Sequence, residues 1–337
     1  MIRIDGSHGE GGGQILRTAI ALSCLTGEAV EVYNIRANRP KPGLAAQHLK
    51  GIEAAKLISH AKVEGLKIGS TRIIFRPGTL RGGEFRIDIG TAGSVTLILQ
   101  TVLLPSLAAE KGTIFHITGG TDVNWSPPID YVRNVTFRAL REMGAQIDLN
   151  LIARGYYPKG GGRITVRISP SKLKGVEYQW IDETIRGISH CSNLPAHIAR
   201  RQTESAINFL RAQGYDVEVK TEVRKDLSTG SGITLWSRYK GGSALGEKGK
   251  RAEVVGEEAA RMLVDELRTP AAFDSHLADQ IMPFAAVAKG ITEYSTSRIT
   301  MHQRSNAYVI QKFLGDVVEM SEAEVPAIRI TGRSVIS

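Results

Sequence analysis

Gly9-Glu10-Gly11-Gly12-Gly13-Gln14-Ile15-Leu16-Arg17 begins the unit that decides the fold. The glycines run into an apolar helix over 15–25, a turn at Gly27, a strand over 29–35, a polar loop and a second helix over 44–58. The same succession returns after Gly90-Thr91-Ala92-Gly93, with a helix over 95–109, a turn at Gly112, a strand over 113–118, a loop and a helix over 129–143. A third copy has a helix over 277–288, a turn at Gly290, a strand over 292–296, a loop holding His302 and a helix over 306–314. A recurring succession of this kind marks a repeat architecture. Gly27 and Gly112 are 85 residues apart, but Gly112 and Gly290 are 178 apart, so about 93 residues are extra between the second and third copies. That is the size of a small domain. Its edges fall near Ser169 to Lys172 and at Arg268-Thr269-Pro270.

Inside the insertion lie a strand-like stretch over 177–181, an amphipathic helix near 195–213, alternating segments over 217–223 and 233–237, and a helix near 254–267. Further strands over 71–75, 85–89 and 164–168 make each repeat a small sheet covered by two helices. The expected class is therefore α/β. Three β/α units make a large domain over 1–176 and 269–337, and a smaller α/β domain is inserted over 177–268.

The chain has 337 residues, above the roughly 250 to 300 at which single cores stop growing. Its 42% apolar and 23% charged residues are near the globular average, and no apolar run reaches about 18 residues, which excludes disorder and a spanning helix. The start, Met1 to Gly6, lacks a basic and then apolar leader, so the expected location is the cytoplasm. Cys24 and Cys191 can form at most one bridge and cannot build a Cys-rich zinc site. The net charge of +9 favours an anionic partner such as nucleic acid or nucleotide.

Neither a P-loop nor a dinucleotide-binding glycine pattern occurs. Two other glycine clusters remain, at 8–14 and 158–163. Successive glycines before a helix leave backbone N–H groups open to a phosphate, although an isolated glycine run more often makes a tight turn. Glu10 inside the first cluster would repel a phosphate unless a divalent cation sits between them, and magnesium suits such oxygen ligands.

Arg154-Gly155-Tyr156-Tyr157-Pro158-Lys159-Gly160-Gly161-Gly162-Arg163-Ile164 resembles the signature of the RNA 3'-terminal phosphate cyclases. The resemblance extends from Asp5-Gly6 and the segment 9–17 through Gly119-Gly120-Thr121-Asp122, Ala244-Leu245-Gly246 with Gly249-Lys250, and Leu277-Ala278-Asp279-Gln280 to His302. It implies three repeated β/α units with an inserted domain of thioredoxin-like topology. It also implies an ATP-dependent conversion of an RNA 3'-phosphate into a 2',3'-cyclic phosphate, with release of AMP and pyrophosphate. His302 is then the nucleophile that takes AMP from ATP, a task that suits a neutral imidazole.

By the same resemblance Arg17, Arg36, Arg39 and Gln47 contact the triphosphate and the RNA 3'-phosphate, arginine being able to clamp a phosphate with two hydrogen bonds. Gln100 is a further polar contact, and Glu10 holds Mg2+ or Mn2+. Pro127, Asp279 and Gln280 surround the nucleotide. His276 stands where relatives carry an aromatic ring for stacking on adenine, and a histidine stacks more weakly. Tyr156 and Tyr157 offer rings to RNA bases, though aromatics beside a glycine turn more often pack.

Cyclase-like proteins of ribosome biogenesis resemble the same family but lack the histidine, so His302 argues against that alternative. Enolpyruvyl transferases use similar units and anion-binding arginines, but do not account for the 154–164 signature. A plain RNA-binding scaffold would need only the charge of +9 and no ATP.

Overall fold

The computed structural model describes residues 1–336. The chain starts with β1 (Ile2–Asp5), α1 (Gly13–Thr26), β2 (Val30–Tyr33), α2 (Ala46–Ser59), β3 (Lys62–Glu64) and β4 (Ile73–Arg76). These strands form one sheet in the order β1-β2-β4-β3, with β1 and β2 parallel and the other pairs antiparallel. Next come β5 (Gly83–Asp88), α3 (Val95–Leu107), β6 (Thr113–Gly119), a helix in two parts, α4 (Ile129–Tyr131) and α5 (Phe137–Glu142), joined by a π turn over Val132–Thr136, then β7 (Gln146–Ala153) and β8 (Gly162–Ser169). The order β5-β6-β8-β7 again has one parallel and two antiparallel pairs.

Period-2 burial explains β6: Thr113, Phe115, Ile117 and Gly119 are buried, while Ile114, His116 and Thr118 are half-exposed. The adjoining α3 is buried at every position except Gln100, because helices and sheet close around it on all sides. Gln100 is thereby the one residue of that helix turned away from the apolar packing.

The chain then runs through β9 (Glu177–Tyr178), β10 (Ile185–Ser192), α6 (His197–Ala212), β11 (Val217–Arg224), β12 (Gly230–Ser237), β13 (Lys240–Leu245) and α7 (Ala252–Leu267). It ends in α8 (Leu277–Val287), β14 (Lys289–Ser295), α9 (Met301–Leu314), β15 (Val318–Ser321) and β16 (Ala327–Arg333). One sheet has the order β11-β10-β12-β13, and another β15-β16-β14-β9. The strand-like stretch expected over 177–181 at the start of the insertion is shorter and pairs elsewhere. Glu177 and Tyr178 lie parallel to Glu293 and Tyr294 of β14. Ile185, Leu210, Ile233, Leu263 and Val264 belong to a hydrophobic cluster separate from the main core, which holds Ile20, Val102, Phe115, Phe273 and Ile330 among others.

Packing overrides local sequence at three places. Gly290, expected in a turn, is inside β14 opposite Gly332, where a side chain on Gly332 would meet the Ala288 carbonyl at 2.1 Å. Strand β10 carries Ser189, His190 and Ser192, all buried, so its sequence shows no apolar alternation despite its central position. Strand β13 starts Lys240-Gly241-Gly242, and the bare Gly242 face lets α7 approach: a Cβ there would lie 2.3 Å from the Ala259 carbonyl oxygen.

Buried charge joins the sheet β11-β10-β12-β13 to the second. The Arg154 guanidinium meets Asp122 (3.1 Å), Asp130 (2.7 Å) and Glu222 of β11 (3.0 Å), and the Tyr156 hydroxyl meets His190 Nδ1 at 2.7 Å. Tyr239, between β12 and β13, packs against Tyr178 and Phe273 in the main core. Among the described residues no helix is long and apolar enough to cross a membrane.

Candidate active site

His302 does not lie in a loop. It is the second residue of α9, and the helix starts there because Thr300 caps it: the Thr300 hydroxyl accepts the Gln303 N–H (3.2 Å), and the Gln303 side chain accepts the Thr300 N–H (3.0 Å). Thr300-x-x-Gln303 is a capping box legible in the sequence. The helix holds the imidazole between two carboxylates. Nδ1 lies 3.2 Å from Asp279 Oδ2 and Nε2 lies 3.2 Å from Glu10 Oε2. The hydrogen bond to Asp279 is the main cause that raises the His302 pKa, and the Glu10 charge adds to it. At rest the ring is therefore biased towards the imidazolium form.

Asp279 is fixed from α8. Its carbonyl accepts Asn306 Nδ2 (2.7 Å), and Asn306 Oδ1 accepts the Thr18 hydroxyl of α1 (2.7 Å), so one buried amide ties three helices at this point. Asn306 was not among the expected site residues, and only its spacing of four from His302, on the same helix face, pointed to it.

The glycine-rich segment threads between α9 and the loop after β2. A Cβ on Gly13 would lie 2.2 Å from His48 Nε2 and 3.0 Å from an Arg17 nitrogen, so no larger residue fits beside these two groups. Gly12 begins α1 with no side-chain cap, leaving the first N–H groups of that helix available. Glu10 reaches the exposed Arg39 at 3.4 Å as well as His302. Arg17 Nε donates to Gln100 Oε1 at 2.9 Å, and Arg36 donates to the Gly43 carbonyl at 2.8 Å.

The electrostatics here are those of an anion site. Burial lowers the Arg17 pKa to about 10, only partly opposed by Asp279. Arg36 is lowered by burial and by neighbouring Arg39. His48, which the sequence reading overlooked although it follows Gln47, is pushed down to about 3 by burial, then by Arg17 and Arg36. Its Nδ1 accepts the Ala45 N–H at 3.2 Å, so the neutral ring carries its hydrogen on Nε2, beside Gly13 and Arg17. Positive groups that depress one another's protonation gain from a bound anion.

The remaining expected residues sit around this centre, not in contact with His302. Gln47 accepts the Ser94 N–H (3.1 Å), and the Pro127 carbonyl accepts the Thr96 hydroxyl (2.8 Å), both at the start of α3, the helix that carries Gln100. Gln280 accepts the Thr136 hydroxyl of the π turn (2.8 Å). His276 is exposed just before α8, three residues ahead of Asp279.

The second glycine cluster, over 158–163, is a tight turn. Gly160 N–H donates to Tyr156 O (2.7 Å), and Gly160 packs against Thr91 and Ala92. Tyr156 is buried and bonded to His190, so its ring is not open to a base, whereas Tyr157 is exposed. Among the described residues, Asp122, Asp130 and His190 lie close enough together to be metal donors, but the Arg154 guanidinium already occupies an oxygen of each carboxylate. Glu10 is a single half-exposed carboxylate, which fits Mg2+ held by one protein ligand with water and substrate phosphates.

Against known proteins, the family described as RNA 3'-terminal phosphate cyclase matches residues 8–320. The chain belongs to that family. Proteins named RNA 3'-terminal phosphate cyclase are similar along almost the whole length. The one from Archaeoglobus fulgidus is 69% identical over 319 residues, covering 95% of this chain and 97% of its own. The Pyrococcus furiosus protein is 50% identical, covering 95% of each chain, and the Methanopyrus kandleri protein 48%, covering 96% of each. The solved enolpyruvyl transferase NikO from Streptomyces tendae aligns with 99% of this cyclase-family chain and 48% of its own, at 9% identity and a TM-score of 0.41, too low to carry an argument.

Two buried histidines are expected to make the fold acid-sensitive. His48 and His190 are both held near a pKa of about 3, His190 by burial and then by Arg154. Each stays neutral in the fold but takes a proton in the unfolded chain below about pH 6.5. The stability they contribute is complete above that pH and declines as pH falls towards 3, by about 2 kcal/mol from each at pH 5. Urea unfolding at pH 7.5, 6 and 5 is expected to show a falling midpoint; a midpoint constant over that range rules this out.

Proposed function

We propose that this protein is an ATP-dependent RNA 3'-terminal phosphate cyclase with His302 as its nucleophile. The observation that carries the reading is the Asp279–His302–Glu10 row facing a cluster of mutually depressed positive groups, in a chain of the cyclase family. Asp279 holds Nδ1–H, which leaves Nε2 as the attacking nitrogen once its proton has left. The Nε2–P bond to the ATP α-phosphorus forms as pyrophosphate departs. AMP then passes to the RNA 3'-phosphate, and the 2'-oxygen attacks the 3'-phosphorus, expelling AMP.

Arg17, Arg36, Arg39 and Gln47 hold the phosphates, with Gln100 orienting Arg17. Pro127, His276, Asp279 and Gln280 surround the adenosine. Mg2+ or Mn2+ at Glu10 neutralises triphosphate charge when bound.

The same reading takes the first, second and fourth sheets as copies of one unit over 1–176 and 269–337, supported by their shared strand order and sense. It takes the insertion, expected over 177–268, as a domain of thioredoxin-like topology whose own packing begins after Tyr178, supported by the order β11-β10-β12-β13 and a separate apolar cluster.

The test uses three strands. An RNA with a 3'-phosphate is expected to be cyclised, and the same RNA with a 3'-hydroxyl to be inert. A strand ending in a 3'-phosphorylated deoxyribose should accept AMP and stop, because ring closure needs a 2'-hydroxyl held next to the activated phosphate. Mass spectrometry reads the ends. A deoxy-ended strand that never carries AMP overturns the adenylate route, even if RNA is cyclised.

A further inference from the structure

Trp125 is 98% exposed and has φ +66°. A bulky residue in the left-handed region is strained, and an indole left in water forgoes the burial its size would allow. Slack chain does not explain this. The loop that carries Trp125 is closed at its base by one guanidinium, with Arg154 bonded to Asp122 at 3.1 Å on one side and to Asp130 at 2.7 Å on the other. Within it the Ser126 hydroxyl donates to Val123 O (3.1 Å), and Pro127 O accepts the Thr96 hydroxyl (2.8 Å). A pinned loop thus presents an unpartnered aromatic ring two residues from the expected adenosine wall.

The surroundings suit a nucleic-acid strand. Gly120, at the start of the loop, packs on Ala92, and so does Gly160 of the 154–163 turn, whose tip exposes Tyr157 (79%) and Lys159. Next to Ala92, the Gly93–Ser94 backbone touches Gln47, the residue before His48. Exposed aromatics and a lysine therefore lie on two segments that pack on Ala92, next to the backbone that touches Gln47, on a chain of net charge +9.

We propose that Trp125 is a stacking platform for a nucleobase of the RNA strand on the 5' side of its terminal phosphate, a role that rests on the cyclase reading above. The adenine of ATP is the less suitable occupant, since small-molecule sites enclose their ligand whereas this ring stands in open solvent. Bases of a single strand stack on open aromatic faces in just this way.

The test compares Trp125→Ala and Trp125→Phe with the parent protein. Labelling of the protein by α-labelled ATP needs no RNA and is expected at the parent level. For a 3'-phosphorylated hexanucleotide, Trp125→Ala should raise KM about tenfold with kcat kept, and Trp125→Phe should recover most of the loss. An abasic scan of the last four nucleotides should find one position that weakens binding to the parent and not to Trp125→Ala. RNA should also quench tryptophan fluorescence in the parent and not in Trp125→Phe, a readout that survives even if no RNA is cyclised and the parent reading fails. A raised KM for ATP in Trp125→Ala, or unchanged RNA binding in both variants, overturns the proposal.

Discussion

His302→Asn is expected to take up no label from α-labelled ATP and to cyclise RNA at least about 10^4-fold more slowly than the parent, the scale of loss when a covalent nucleophile is removed. Asparagine is polar and close in size, and His302 is partly exposed at the start of α9, so the capping box of Thr300 and Gln303 remains. An unchanged unfolding midpoint should therefore accompany the lost label. The side chain has two carboxylate neighbours that would otherwise meet unshielded, Asp279 and Glu10, and the asparagine amide can still donate to one of them. Retention of near-normal label by His302→Asn means that another of the eight histidines takes the AMP. His48 is a poor substitute: its Nδ1 is occupied by the Ala45 N–H and its Nε2 carries the hydrogen.

Much of this site was legible because its residues lie in local patterns. The glycines at 9–13 and the helix after them, the apolar α3 and the signature around Arg154 needed no long-range information. Other features depend on partners distant in the chain. Nothing local marks Gln100 as the polar exception of a buried helix, since that follows from Arg17, 83 residues away. His48 is recognisable as part of the anion site only once Gly13 and Arg17 lie against it. Strand β10 escaped notice because its buried polar groups find partners far away in the chain, Ser189 at Gln202 of α6, His190 at Tyr156 and Ser192 at the Asp226 backbone N–H after β11, so its polarity looks like that of a loop. The signature itself is a different case. Arg154 stands in the motif that identified the family, yet it has no exposure and faces Asp122, Asp130 and Glu222 instead of a phosphate. The glycines beyond it serve close packing, and the motif's chemistry is architectural.

Removal of that arginine is expected to be the most destabilising single change in the protein. Asp122 and Asp130 are as buried as Arg154, so Arg154→Ala leaves two carboxylates without water or a counter-ion, at a cost of about 3–5 kcal/mol. That is a large part of the roughly 5–15 kcal/mol by which domains are stable. It also frees both ends of the loop bearing Pro127 and removes the Glu222 tie between β11 and the second sheet, leaving Arg224 of β11 bonded to the Ile152 carbonyl of β7. Arg154→Lys keeps the charge but not the planar fork that reaches three acids at once, and should fall between. The loss has two sources, uncompensated charge and lost volume, and the triple variant Arg154→Met with Asp122→Asn and Asp130→Asn separates them. It removes the buried charges together and restores bulk, so at least half of the stability lost in Arg154→Ala should return. Urea unfolding of the parent and the three variants measures this. Failure of the triple variant to recover, beside a large loss in Arg154→Ala, would show that the specific hydrogen bonds of the fork, and not charge neutralisation, carry the stability that Arg154 supplies.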